Sequence, residues 1–246
     1  FRRGLRRLQA LGHEVEVDEA ALAVHMRFAG DDATRLAAIH RAAASGADVA
    51  LISRGGYGLT RILPGIAYKK VAKAIEGGTR FVGLSDFTAF QLALLARTGA
   101  ISWAGPALGE DFGTVDAPDD IMEACFDDLV QDQGEGTGWR LPAERSVMAP
   151  DSIAARGRSV LGDGEFAVRN AMLWGGNLSV LVSLLGTPYW PQVQGGVLFL
   201  EDVNEHPFRI ERMLTQLLHA GVLAQQKAVL LGSFTGIRLA PHDRGY

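Results

Sequence analysis

The sequence predicts an α/β protein: an N-terminal doubly wound parallel-sheet domain followed by a second, smaller α/β or β-rich domain. Three observations point there. Over residues 1–113 short apolar runs alternate with amphipathic helical patterns, the order that builds strand–helix–strand units. At 114–166 the composition shifts to Asp, Gly and Pro and reads as a connector. Residues 167–246 then resume the strand-then-helix order with their own glycine turns.

Bulk properties fit this picture. The 246 residues are 48% hydrophobic and 21% charged, enough for one large or two ordinary domains with a sizeable core. A net charge of −4 with dispersed Lys and Arg offers no basic stripe, so nucleic acid is not expected as a partner. No apolar run reaches the roughly 18 residues of a membrane helix, so no membrane partner is expected. The lone Cys125 excludes an internal disulfide and suits a reducing compartment, which makes cytoplasmic the expected location. The chain opens on Phe1 in a helical pattern with no strand ahead of it, which suggests a trimmed start.

Leu5, Leu8 and Leu11 recur at helical spacing up to Gly12, and residues 13–17 alternate like a strand. Asp31 and Asp32 can cap a second helix in which Leu36, Ile39, His40 and Ala43 share a face; His40 is then a packing residue rather than a ligand. Residues 47–53 form an apolar strand that runs into the glycine loop at 54–58. That loop lacks the spacing of a phosphate cradle or a dinucleotide site. Glycines at the C-terminal end of a parallel strand still let backbone approach a ligand closely. Residues 66–75 are amphipathic, 81–82 end a buried strand, Gly83 allows a turn, 87–95 read as a helix, and 101–104 as a strand.

In the second half, 167–174 alternate weakly like a strand, and Gly175, Gly176 and Asn177 precede an apolar helical segment that runs up to Leu185. Residues 197–200 are a compact strand delivering Glu201 and Asp202 at its end. Ile210, Met213, Leu214, Leu217 and Leu218 mark a helix between Pro207 and Gly221, and 228–231 a further buried strand.

The chemistry concentrates at Ser85. A strand-to-helix corner lifts a hydroxyl clear of the sheet and aims the free N–H groups of the new helix at whatever it attacks, the logic of a nucleophile elbow. Ser85 as a plain helix N-cap is the competing reading, since Phe87 stands where G-x-S-x-G has its second Gly. No H-E-x-x-H is present and Cys125 has no partner, which disfavours a metal hydrolase.

Three stretches taken together, RGGYG at 54–58, GLSDFTAF at 83–90, and WGGNL at 174–178 with LFLEDVNEHPFRIERML at 198–214, resemble the LD-carboxypeptidases. These are serine peptidases that trim murein tetrapeptides in the bacterial cytoplasm during cell-wall recycling; microcin-immunity peptidases are more distant relatives. The resemblance implies Ser85 as nucleophile and Glu201 as triad carboxylate, with Glu205 a competitor ranked lower because it falls in the following loop. It implies oxyanion donors at the N–H of Asp86 and of Gly56. Asn177 is a candidate for holding substrate polar groups. A cation would meet the terminal carboxylate; Arg54, Arg61 and Arg209 are the candidates, and the sequence does not choose among them. The family's His is expected beyond residue 246; none of the six His here, His206 and His242 included, fills that role well. A muropeptide substrate, no cofactor, no metal and a homodimer are the further implications. A microcin-type peptidyl-nucleotide amidase and a non-catalytic muropeptide-binding module are the alternatives.

Overall fold

The computed structural model of the chain describes residues 1–133 and 168–238, and these form a mixed α/β fold with two parallel sheets. The first sheet orders β1 (Val49–Leu51), β2 (Arg80–Gly83) and β3 (Trp103–Ala104); the second orders β4 (Leu173–Asn177), β5 (Val197–Val203) and β6 (Ala228–Thr235). Parallel neighbours need a crossover, and helices supply it. In the first half, α1 (Arg2–Ala10) and α2 (Asp32–Ala44) precede α3 (Tyr68–Glu76), which joins β1 to β2, and α4 (Thr88–Thr98), which joins β2 to β3. After α5 (Asp120–Gln131), α6 (Leu178–Ser183) lies between β4 and β5, and α7 (Pro207–His219) between β5 and β6.

One core runs through both sheets. Its buried members include Phe81, Phe87 and Phe90 from the first half and Trp174, Leu178, Leu198 and Leu200 from the second. The wedge between the sheets is α4, which buries Thr88, Ala89, Phe90, Leu92, Ala93 and Leu94 because it is apolar nearly all round. Phe90 is fully buried and stacks on Phe87 at 4.7 Å, so truncating it to Ala would cost about 3–5 kcal/mol. A smaller cluster of Leu8, Leu108, Phe112 and Phe126 fastens α1 and α5 to the segment after β3. There α1 lies against backbone: a Cβ on Gly4 would stand 2.2 Å from the Leu108 carbonyl oxygen.

Most expected elements are present, with informative departures. The Asp31 carboxylate caps α2 by accepting from the Thr34 N–H at 2.8 Å, and His40 Nε2 accepts from the Ala67 N–H at 3.0 Å, the packing role expected of it. Residues 13–17 are not a strand: His13 packs edge-on to Phe126, and Val15 sits against the smaller cluster, so tertiary contacts override the alternation. The strand expected to end at Trp174 continues to Asn177, with Gly175 and Gly176 inside it. Gly175 has to be glycine because β5 passes so close that a Cβ there would lie 2.0 Å from the Phe199 carbonyl oxygen. The strand at 197–200 continues to Val203, so Glu201 lies within it and not at its end. His242 and residues 134–166 of the connector lie outside the described residues.

Candidate active site

Gly83 closes β2 with the Phe87 ring folded back against it; a Cβ there would stand 2.6 Å from Phe87 Cδ1. Leu84 is extended, and Ser85 then takes φ +61°, in the left-handed region that disfavours any residue with a Cβ. Such a conformation costs on the order of 1–3 kcal/mol and persists only where its surroundings enforce it. A 3-10 turn, Ser85–Phe87, follows and leads into α4. The side chain of Ser85 caps neither helix, so the N-cap alternative is not what the residue does. The hydroxyl is half-buried at a strand end, over a first turn whose N–H groups have no partner within a helix.

Asp86 is buried beside it, and its Oδ2 accepts from the Leu59 N–H at 2.8 Å. Burial pushes its carboxyl above the usual range, opposed by that N–H and by the Arg35 charge. The carboxylate thereby anchors the loop after β1 to the Ser85 turn.

The glycine loop meets Ser85 through Gly55. A Cβ on Gly55 would lie 2.9 Å from Ser85 Cβ and 3.1 Å from its Oγ, closer than a side chain tolerates. The Gly55 N–H donates to Glu110 Oε2 at 2.9 Å. Glu110 is delivered to this place by the segment after β3, where the Leu108 and Gly109 N–H groups donate to the carbonyls of Ile52 and Ser53. Gly56 has φ +142°, and a Cβ there would meet only Arg54 Nε, at 3.9 Å. Neither Gly55 nor Glu110 is singled out by sequence reasoning. A glycine run at a strand end was the available signal for the first; the second has none, because its partner lies 55 residues away.

From the other sheet, Asn177 and Glu201 are register partners on β4 and β5. Asn177 is buried and caps α6, its Oδ1 accepting from the Val180 N–H at 3.1 Å, while its own N–H donates to Thr88 Oγ1 at 3.1 Å. Thr88 stands three residues after Ser85, and a Cβ on Gly176 would strike its hydroxyl at 2.6 Å. The C-terminal end of β4 is therefore pressed onto the start of the Ser85 helix.

Two adjacent carboxylates on β5 face opposite ways. Asp202 is buried and fully engaged: its oxygens accept from Asn177 Nδ2 at 3.1 Å and from the N–H groups of Ser179 and Val203 at 2.8 Å. Glu201 is half-buried, and its carboxyl lies above the usual range, first because of burial, then because of the Asp202 charge, with the Asn177 amide opposing. Glu205 sits in the following loop, 2.7 Å from Arg209. Of the three arginines in question, Arg209 is thus engaged by Glu205 and Arg61 by Asp32 at 3.1 Å. Arg54 is 71% exposed, reaching its neighbour's carbonyl and lying 3.9 Å from Glu110. His206 caps α7 and His219 ends it.

Relatives carry the same frame. The LD-carboxypeptidase N-terminal domain matches residues 1–105 and the LD-carboxypeptidase C-terminal domain residues 170–245. The crystal structure of muramoyltetrapeptide carboxypeptidase from Oxalobacter formigenes superposes with a TM-score of 0.80 at 35% identity, covering 100% of this chain and 75% of that one. The chain belongs to the LD-carboxypeptidase family. A probable murein peptide carboxypeptidase of Bacillus subtilis is 32% identical over 92% of the chain, which spans 65% of that relative's length. The microcin C7 self-immunity protein MccF of Escherichia coli is 27% identical over 72% of the chain, which spans 54% of its length. Solved MccF in its wild-type apo state, at 23% identity and a TM-score of 0.77, shares the fold.

Proposed function

We propose that the protein is a serine carboxypeptidase that cleaves the L,D peptide bond of murein tetrapeptides and releases the terminal D-alanine. The observation that carries the reading is Ser85: a left-handed serine at a strand-to-helix corner, wedged against a glycine loop and capping nothing. Nothing in the stability of α4 requires that geometry, and it matches the strained strand-to-helix corner that exposes a nucleophile. The names of the Oxalobacter and Bacillus relatives supply the substrate class.

In this reading Ser85 Oγ attacks the scissile carbonyl while a His, contributed from sequence following residue 246, takes its proton. Glu201 orients that His and stabilises its charged form. A carboxylate whose pKa is raised by partial burial is held short of hydrogen-bond donors, and an imidazolium would supply one. The oxyanion forms toward the N–H groups of Asp86 and Gly56. Gly55 brings the loop close enough for this, and its own N–H is held by Glu110. Collapse of the tetrahedral intermediate expels D-alanine, which takes the proton from the His, and water then releases the acyl group from Ser85 by the same steps. Asn177 holds the Glu201 strand to the Ser85 helix, and Arg54 meets the D-alanine carboxylate. We place the enzyme in the cytoplasm as a homodimer. The MccF relationship favours one second reading, a peptidyl-nucleotide amidase using the same residues. Release of D-alanine from a murein tetrapeptide, with a peptidyl-nucleotide assayed beside it, separates the two.

A further inference from the structure

The glycine loop that faces Ser85 is fastened by side chains at both of its ends. At the far end the Gly58 carbonyl accepts from Arg35 Nη1 at 3.1 Å, and the Leu59 N–H donates to Asp86 Oδ2 at 2.8 Å. At the near end the Gly55 N–H donates to Glu110 Oε2 at 2.9 Å, and the Gly55 carbonyl accepts from Arg54 Nε at 3.1 Å. Gly55 is thus held on both sides by side chains. Among the described residues, the Gly56 N–H that follows donates to no protein group.

A trans peptide is planar, and its C=O and N–H point in opposite directions. Fixing the Gly55 carbonyl on Arg54 therefore fixes the direction of the Gly56 N–H, and fixing the Gly55 N–H on Glu110 fixes the peptide before it. Two consecutive glycines would otherwise have wide backbone freedom, and Gly56 sits at φ +142°. The anchor on the other side is firm. Glu110 follows Leu108 and Gly109, whose N–H groups donate to the Ile52 and Ser53 carbonyls at 3.0 and 2.8 Å, and it precedes the fully buried Phe112. A Cβ on Gly109 would lie 2.8 Å from the Ser53 carbonyl oxygen. These contacts hold the segment without the Glu110 side chain, which is 48% exposed. Its bond to Gly55 adds little to the fold; what it adds is an orientation.

We propose that Glu110 is a positioning residue: with Arg54 on the opposite side of Gly55, it sets the Gly55–Gly56 peptide so that the Gly56 N–H stays available to the oxyanion formed at Ser85. The inference rests on the carboxypeptidase reading and adds to it the side chain that readies the oxyanion site before substrate arrives. The role calls for an acceptor oxygen rather than a charge. A negative charge close to a developing oxyanion opposes it, and Arg54, whose Nε lies 3.9 Å from Glu110 Oε1, offsets that charge. A carboxamide at this position would serve as well.

The test measures D-alanine release from a murein tetrapeptide by the full-length protein and by its Glu110→Ala, Glu110→Leu and Glu110→Gln variants. Losing an oxyanion donor outright costs about a hundred- to a thousandfold in kcat, and a donor that is present but free to turn should cost less. Glu110→Ala and Glu110→Leu should therefore each lower kcat about ten- to thirtyfold with KM within about twofold. Glu110→Gln, whose side-chain oxygen can accept the same N–H, should stay within about threefold of wild type. Glu110→Leu keeps most of the bulk and removes the acceptor, so a folding defect in the shorter variant does not end the test. A loss confined to KM, a kcat for both Ala and Leu within about twofold of wild type, or a Gln variant as impaired as Ala would overturn the proposal. The loop itself gives a second readout. In the magnetic-resonance spectrum of protein carrying isotope-labelled glycine, the Gly56 amide should give one sharp signal in wild type and Glu110→Gln and a broadened or doubled one in Glu110→Leu. An unchanged signal in Glu110→Leu would refute the proposal. If wild type releases no D-alanine, the carboxypeptidase reading fails by itself, and the Gly56 signal still decides whether Glu110 sets the loop.

Discussion

The two sheet ends that meet at α4 are built on opposite principles. At the end of β2 the backbone is strained, the hydroxyl of Ser85 makes no capping bond, and the neighbouring loop packs this close only because Gly55 has no side chain. At the end of β4 and in β5 almost every polar group is satisfied, with Asn177, Ser179, Thr88 and Asp202 in one network. The exception there is Glu201, whose carboxyl is raised by its surroundings. A fold settles its buried polar groups where it can, and the groups left strained or under-solvated are where function is to be sought.

If that contrast is right, mutations at the two ends separate activity from stability. Glu201→Gln should lower D-alanine release by about a thousandfold, leave the chemical-denaturation midpoint nearly unchanged at low pH and raise it slightly at neutral pH. The same variant checks the pH argument. Because burial raises the Glu201 pKa in the folded state, its contribution to stability is fully present below the ordinary value near 4.5 and is lost as pH rises through the folded value. Denaturation between pH 4 and 8 should show the Gln variant lacking that part of the decline. Gly55→Ala should cut turnover about a hundredfold, because the added Cβ must displace Ser85 or the loop, and should cost about 1–3 kcal/mol. Asp202→Ala should act chiefly on stability, by about 2–4 kcal/mol in a urea titration, since it strands the buried Asn177 amide and two part-buried backbone donors. The smallest effect is expected at Asp31→Ala, where loss of the α2 cap should cost about 1 kcal/mol with turnover unchanged within error. A large activity loss at Asp202 without unfolding, or a large stability loss at Glu201, would break the contrast.

How far the sequence revealed these two ends differs for a physical reason. The Ser85 corner is a local event: an apolar strand, one permissive glycine and a helical pattern lie within ten residues, so strand, turn and helix follow from neighbouring residues. The C-terminal end depends on approach over distance. The strand pattern stops before Gly175 and Gly176 because glycine usually interrupts strands, and only Phe199 and Thr88, remote in sequence, show why a strand needs them there. Two consecutive acids at 201–202 read as a strand end because charges are seldom buried; the donors that allow Asp202 its place come from residues 23 and 25 positions earlier. Glu110 was invisible for the same reason, and so was the role of Gly55, since the loop's glycines are indistinguishable until one of them is seen against Ser85.

The central claim is that the strained serine performs the chemistry. It is tested most directly by measuring D-alanine release from a murein tetrapeptide by the full-length protein and by its Ser85→Ala variant, with circular dichroism confirming that both are folded. The account predicts steady release by the first and a loss of about ten-thousandfold or more in the second, at unchanged or slightly higher stability because alanine carries no hydroxyl to position. Release by Ser85→Ala within about tenfold of wild type would contradict it.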